Sequence, residues 1–247
     1  MRSVRPEGPE AVTLRLEVEG FRYRPGQHLR IDPWQFEALG PRLREREAAR
    51  GRKDGASYFS ISSDGLEDRV VEFTPRRPRD GREALVAVHL VREARPGMTI
   101  SLEGPGGAYC LPEESPPGVD RFVHVCAGSG VAPNRGMIRH AIGRGWPQRH
   151  LLVLQERGPE DVLFGRDWEE LGRDPRFRLR TLFSKKGGEY LSEGLLRRET
   201  GAEVSAAIGL VSGPNETRDG RSGFCDHAVA CLRALGIPAG RILRESG

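Results

Sequence analysis

The chain has 247 residues, 37% of them hydrophobic and 30% charged, with a formal net charge of +4. That length suits two compact domains, and no run of about 18 apolar residues is present to form a membrane-spanning helix. The opening residues do not follow the basic, apolar and small-residue order of a secretory signal, so a cytoplasmic protein is expected. No basic stripe with interleaved aromatics and no zinc-finger spacing points to nucleic acid. The four cysteines, Cys110, Cys126, Cys225 and Cys231, are too widely spaced for an iron–sulfur or zinc cluster and read as buried or incidental thiols. Among the basic residues only Lys53, Lys185 and Lys186 are lysine. This arginine excess fits a compositional bias, or a positive surface that attracts an acidic partner or an anionic nucleotide.

In chain order, residues 13–18 alternate as a strand does, and Pro25-Gly26 marks a turn before a second strand at 28–31. Residues 36–52 are charged and helix-forming, a surface excursion ending at Gly51 or Gly55. Residues 58–62 and 70–74 are β-rich, 84–90 fit either strand or helix, and 98–102 read as a strand closed by Gly104-Pro105-Gly106-Gly107. Many short strands with turn signals predict an antiparallel β-barrel. Residues 112–118 read as a linker, so that residues 1–116 form one domain and 117–247 another. In the second, strands at 121–126, 151–154, 177–183, 206–211 and 241–243 alternate with helices at 133–143, 162–171, 193–199 and 224–235. That alternation predicts an α/β domain with a doubly wound parallel sheet.

Two loops carry the sharpest chemical signal. Gly128-Ser129-Gly130-Val131-Ala132-Pro133 follows a strand and opens a helix. Glycines there let the backbone approach a phosphate, and the helix start offers free N–H groups to it. Pro133 stands where the common dinucleotide fingerprint has its third glycine. Ser212-Gly213-Pro214 ends a later strand, and in open α/β sheets such loops line a common crevice; alone it is an ordinary strand-to-helix turn.

Together these segments resemble the ferredoxin–NADP reductase superfamily over about residues 13–245. Tyr23-Arg24-Pro25-Gly26-Gln27 is similar to the family's turn in the barrel, and Gly104-Pro105-Gly106-Gly107 to the turn that closes it. Phe59-Ser60-Ile61-Ser62-Ser63 resembles the flavin-binding strand, and Glu160-Asp161-Val162-Leu163-Phe164 a helix start of the second domain. The resemblance implies an FAD-dependent NAD(P)H oxidoreductase. It implies FAD contacts at Tyr58, Phe59, Ser60, Ile61, Ser62, Thr74, Arg76 and Gly81, with Phe59 packed on the flavin and Ser60 near its reactive nitrogen. It implies nicotinamide-nucleotide contacts at Gly128, Ser129, Gly130, Val131, Pro133, Arg157, Ser184, Lys185, Ser212, Gly213 and Pro214, and catalytic roles for Ser60, Ser212 and Glu245. No metal site is expected.

The sequence departs from the pattern in several places. Ser57 stands in place of the arginine that grips the FAD diphosphate, Phe59 in place of the tyrosine, and Ser212 in place of a cysteine. Residues 215–223 are inserted, and no terminal aromatic is present. Arg76, Arg77, Arg79 or Arg82 could compensate for Ser57. Arg157 and Ser184-Lys185-Lys186 suit a 2′-phosphate, so NADP(H) is slightly preferred over NAD(H). Electrons would pass to a separate acceptor, such as an acidic ferredoxin or an oxygenase component. Two alternatives stand beside this: a reductase of free flavin or ferric chelates, and a nucleotide-binding relative without redox activity.

Overall fold

The computed structural model describes residues 1–78, 83–185, 188–201, 204–215 and 223–245. The first half holds two three-stranded antiparallel sheets. One pairs β1 (Ser3–Pro6), β2 (Val12–Glu17) and β5 (Val70–Phe73); the other pairs β4 (Ser57–Ser60), β3 (His28–Ile31) and β6 (Glu103–Gly106). A bridge between Ile61 and Phe73 joins them. The expected antiparallel architecture is present as these two sheets around one core, in which Leu14, Leu16, Leu29, Ile31, Ile61 and Phe73 are buried. Strand alternation explains the choice: in β3, Leu29 and Ile31 face inward while Arg30 is exposed.

The charged excursion is α1 (Gly40–Arg50), which ends at Gly51 in the left-handed conformation, φ 63°. The ambiguous run is a helix, α2 (Leu85–Glu93). Its valines favour strands, yet Val86 and Leu90, one turn apart, both reach the core, and that packing overrides local preference. The strand expected at 98–102 is absent. Met98, Ile100 and Leu102 do alternate onto the core, but the Ser101 backbone pairs with the Gln35 side chain instead of a strand, at 2.8 and 3.1 Å. The ladder is taken up one step later by Glu103–Gly106, which the sequence suggests is a turn.

The second half is a five-stranded parallel sheet in the order β11 (Ile242–Arg244), β10 (Ala207–Ser212), β7 (Arg121–Ala127), β8 (Arg149–Glu156), β9 (Phe177–Phe183). α5 (Glu193–Thr200) and α6 (Phe224–Ala234) cover one face. α3 (Val131–Gly143) and α4 (Gly165–Leu171) cover the other. Burial on both faces explains why β7 reads as a nearly unbroken apolar run. All four cysteines are buried free thiols. Among the described residues no helix is long and apolar enough to cross a membrane.

Between the halves, residues 107–120 run without helix or strand. The Gln148 amide fastens this segment by donating to Ser115, Pro116 and Val119. The Pro25-Gly26 turn fits against it. Gly26 has φ 103°, and a Cβ there would lie 2.9 Å from the Cys110 Cα.

Candidate functional site

The crevice forms where β7 and β10 end. The loop after β7 turns through Gly128, with φ 59°, and enters α3 at Val131. Ser129 is exposed at the tip, while Gly130, Val131 and Pro133 are buried. The loop after β10 lies directly against it. A Cβ on Gly130 would sit 2.6 Å from the Ser212 carbonyl and 2.7 Å from the Gly213 nitrogen, so only glycine permits this approach. Gly213 is half-buried, and Pro214 is exposed beyond it.

Asn134, in the first turn of α3, ties the two loops together. Its Nδ2 donates to the Gly130 carbonyl at 2.9 Å and to Ser212 Oγ at 2.7 Å. The Ser212 hydroxyl donates in turn to the Gly130 carbonyl at 2.5 Å. Ser212 has no exposed surface, so its hydroxyl belongs to this clasp. Because the Asn134 nitrogen must face a carbonyl, its Oδ1 accepts. It does so from the Tyr109 hydroxyl at 3.0 Å and from His124 Nδ1 at 2.8 Å. His124 Nε2 then accepts from His150 Nδ1 at 3.1 Å. Both rings are neutral. Burial pushes His124 down to about 4, against the opposing bond from Asn134. Burial, with His124 and Arg176 nearby, holds His150 well below its ordinary value. Burial also lifts the Tyr109 hydroxyl and the Cys126 thiol far above theirs.

The antiparallel half contributes Ser60, at the end of β4. Its hydroxyl donates to Glu245 Oε1 at 2.5 Å. Glu245 follows β11, and its backbone N–H donates to the Val211 carbonyl at 2.9 Å, which brings it to the crevice. Burial raises the Glu245 carboxyl above its ordinary value, and the Ser60 hydrogen bond offsets part of that rise.

Strand alternation sorts the remaining residues of the flavin-like segment. β4 pairs with β3 so that Phe59 lies opposite Leu29 and Tyr58 opposite Arg30. Phe59 therefore packs inward, 5.3 Å from the Phe73 ring, while Tyr58 is 63% exposed and meets His28 edge-on. Tyr58 and Ser60 share the open face. Ile61 and Ser62 are fully buried, and Thr74 is buried between the Thr13 and Ser62 hydroxyls. Arg76 is committed across the halves, to Glu156 at 3.2 Å and Asp161 at 3.3 Å. Arg77 pairs with Glu10. Gly81, Arg79, Arg82 and Lys186 lie outside the described residues.

At the far side, the ends of β8 and β9 run together. The Ser184 N–H donates to the Glu156 carbonyl at 2.9 Å and the Lys185 N–H to the Arg157 carbonyl at 3.1 Å. Tyr190, unremarked in the sequence, presents a ring 58% exposed there, its hydroxyl 3.4 Å from the Ser184 carbonyl.

A buried arginine fixes the two halves against each other. Arg135 donates to the Ser62 carbonyl, Glu72 and Asp167, each at 2.8 Å, and lies 4.9 Å over the Phe164 ring. Burial would raise the Asp167 carboxyl, but Arg135, Arg5 and Arg139 outweigh it and hold it below its ordinary value.

No protein-family model matches the chain. The chain is 28% identical to an NADPH oxidoreductase of Mycobacterium tuberculosis over 182 residues, 71% of this chain and 43% of that protein. It spans less than half the length of the curated relatives it matches. Among solved structures, a cytochrome P450 reductase of Amycolatopsis superposes with a TM-score of 0.76 at 20% identity, covering 99% of this chain and 67% of that one. A ferredoxin NADP+ reductase of Neisseria gonorrhoeae, with FAD and NADP bound, superposes with a TM-score of 0.73 at 18% identity, covering 99% and 95%. The chain has the fold of ferredoxin–NADP reductase-like reductase domains. Within this reductase-like fold, Ser60 of the antiparallel half meets Glu245 of the parallel half, whose backbone is held at Val211, next to the Gly130–Ser212 clasp.

Proposed function

We propose that this reductase-like domain binds FAD through its antiparallel half, residues 1–116, and NADPH through its parallel half, residues 117–247. The observation that carries this is the Ser60–Glu245 contact at 2.5 Å, made at the mouth of the crevice formed by the two glycine loops. The residues present fit a flavin ring. Tyr58 offers an exposed aromatic face and Ser60, two residues on, a hydroxyl on the same side of β4. Tyr58, not Phe59, is then the ring that meets the flavin. When bound, FAD supplies the means to take two electrons from a reduced nicotinamide and pass them to an acceptor. The protein's own work is placement. The glycine loops and the start of α3 receive the nucleotide diphosphate. Ser60 is held by Glu245 at the reacting face, and the buried carboxyl stands ready to exchange a proton through that hydroxyl.

Arg157, Ser184 and Lys185, with Tyr190 as a stacking ring, support NADPH over NADH through charge and hydrogen bonding to a 2′-phosphate. A separate electron-acceptor protein, a ferredoxin or an oxygenase component, completes the reading. A free-flavin reductase is the second reading, favoured by Ser57 and by the commitment of Arg76 and Arg77 to ion pairs.

The test is an absorption spectrum after adding FAD and desalting, followed by NADPH oxidation with dichlorophenolindophenol. Retained flavin bands with NADPH-dependent dye reduction support the first reading. Dye reduction only with flavin kept in solution selects the second. Neither flavin uptake nor NADPH oxidation refutes both.

A further inference from the structure

Ser57 lines a cleft of about 290 Å³ between α1 and the start of α2. Four cations border that cleft, Arg46, Arg50, Arg52 and Lys53, against two acids, Asp54 and Glu83. The balance of +2 matches the two negative charges of a diphosphate diester. The arginines come from the charged excursion. Arg42, Arg46 and Arg50 recur every four residues along one face of α1, and Arg46 and Arg50 border the cleft. Their acidic partners are shared: Glu83 meets Arg42 at 2.8 Å and Arg46 at 3.4 Å, and Asp54 meets Arg46 at 3.3 Å and Arg50 at 3.1 Å. Arg46 Nε is buried and makes no hydrogen bond of good geometry with either acid. Such a donor gains by turning to an anion.

A second cleft continues the first. It shares Lys53, Asp54 and Ala56 and runs on to Arg30, Trp34 and Glu103. Trp34 is 39% exposed, and its ring is anchored by donation from Nε1 to Glu47 of α1 at 3.2 Å. This second cleft carries Arg30 and Lys53 against Asp32, Glu47, Asp54 and Glu103, so the cationic part of the groove ends at the first cleft, and a fixed, half-open indole beyond it suits an uncharged purine ring.

We infer that α1 provides the site for the ADP half of FAD. Arg46 and Arg50 hold the diphosphate in place of the arginine absent at Ser57, and Trp34 carries the adenine. This rests on the flavin reading above. Arg46 exchanges its poorly aligned acidic partners for phosphate oxygens, and α1 with the Trp34 segment becomes part of the cofactor site.

The test compares FAD with riboflavin, which lacks the ADP half, by fluorescence titration of wild type, Arg46→Gln, Trp34→Leu and Lys53→Ser, with thermal melts of each. Lys53 borders both clefts and is exposed, so its variant keeps the test open should Arg46→Gln loosen α1. Expected is a loss of about tenfold to hundredfold in FAD affinity for Arg46→Gln, about the worth of one charged hydrogen bond, with riboflavin affinity unchanged. Smaller losses of the same selectivity are expected for the other two. Equal losses for FAD and riboflavin, or FAD affinity unchanged in all three variants, would overturn the inference while leaving the flavin reading intact. A wild type that binds neither flavin overturns both.

Discussion

Replacing Asn134 by leucine keeps nearly the same volume and removes every polar contact of the clasp. The Tyr109 hydroxyl and the His124 Nδ1–H lose their shared acceptor, and both are buried. Each buried donor left unmet costs about 1–3 kcal/mol. The Gly130 carbonyl keeps the Ser212 hydroxyl and suffers less. The expected loss is therefore about 2–6 kcal/mol, a large part of a typical stability of roughly 5–15 kcal/mol. For a domain of this size, that lowers Tm by roughly 4–24 °C. Thermal melts followed by circular dichroism measure the shift. The milder change Asn134→Asp keeps both acceptor bonds but loses the donors to Gly130 and Ser212. Its carboxyl also favours a proton on His124, so its stability should fall less steeply on acidification than that of wild type. A leucine variant melting within about 2 °C of wild type would refute the reading of Asn134 as the node of the clasp.

Acidification tests the same network in the wild type. His124 sits at about 4 in the folded state against an ordinary value of 6.5, so below that value the unfolded chain takes up a proton that the folded one refuses. Stability is present above pH 6.5 and falls as the pH drops toward 4, by about 3 kcal/mol from His124 alone, with His150 adding in the same direction. Urea unfolding midpoints that stay flat between pH 7 and 5 would contradict this. Gly130→Ala drives a Cβ into the Ser212 and Gly213 backbone, so the loops must part; overpacking of this kind costs about 1–3 kcal/mol, and binding of NADPH, followed by calorimetry, should weaken at least about tenfold. An alanine variant that matches wild type in both Tm and NADPH affinity would show the loops to be pliant. Arg135→Met leaves Glu72 and Asp167 short of a buried cation, although Arg15 still meets Glu72 and Arg5 and Arg139 still meet Asp167. Breaking a buried pair costs about 3–5 kcal/mol, and the joint between the halves should become sensitive to limited proteolysis; unchanged cleavage would argue that the remaining pairs suffice.

The parallel half was largely legible because its central strands are apolar on both faces and its loops are marked by glycine and proline. Phe177–Phe183 has the bounds its sequence suggests. The antiparallel half was harder. Its strands are four to six residues long, β1 carries no strong pattern, and the alternation at 98–102 is satisfied by a side chain instead of a ladder. The face assignment of Tyr58 and Phe59 depended on register, which local pattern does not fix. The clasp left one trace in the sequence. His124, Asn134 and His150 are polar residues in otherwise apolar, buried segments, where a polar group needs partners. Tyr109, which completes the network, comes from the connecting segment and carried no such signal.

The contact between Ser60 and Glu245 joins residues 185 positions apart. During synthesis, the antiparallel half and most of the parallel sheet can emerge from the ribosome and pack before Glu245 exists. β11 must then lie along β10 before the carboxyl can reach the Ser60 hydroxyl. This link between the halves therefore closes only after β11 has joined the sheet, and until then a nascent chain carries the Ser60 hydroxyl without its carboxylate.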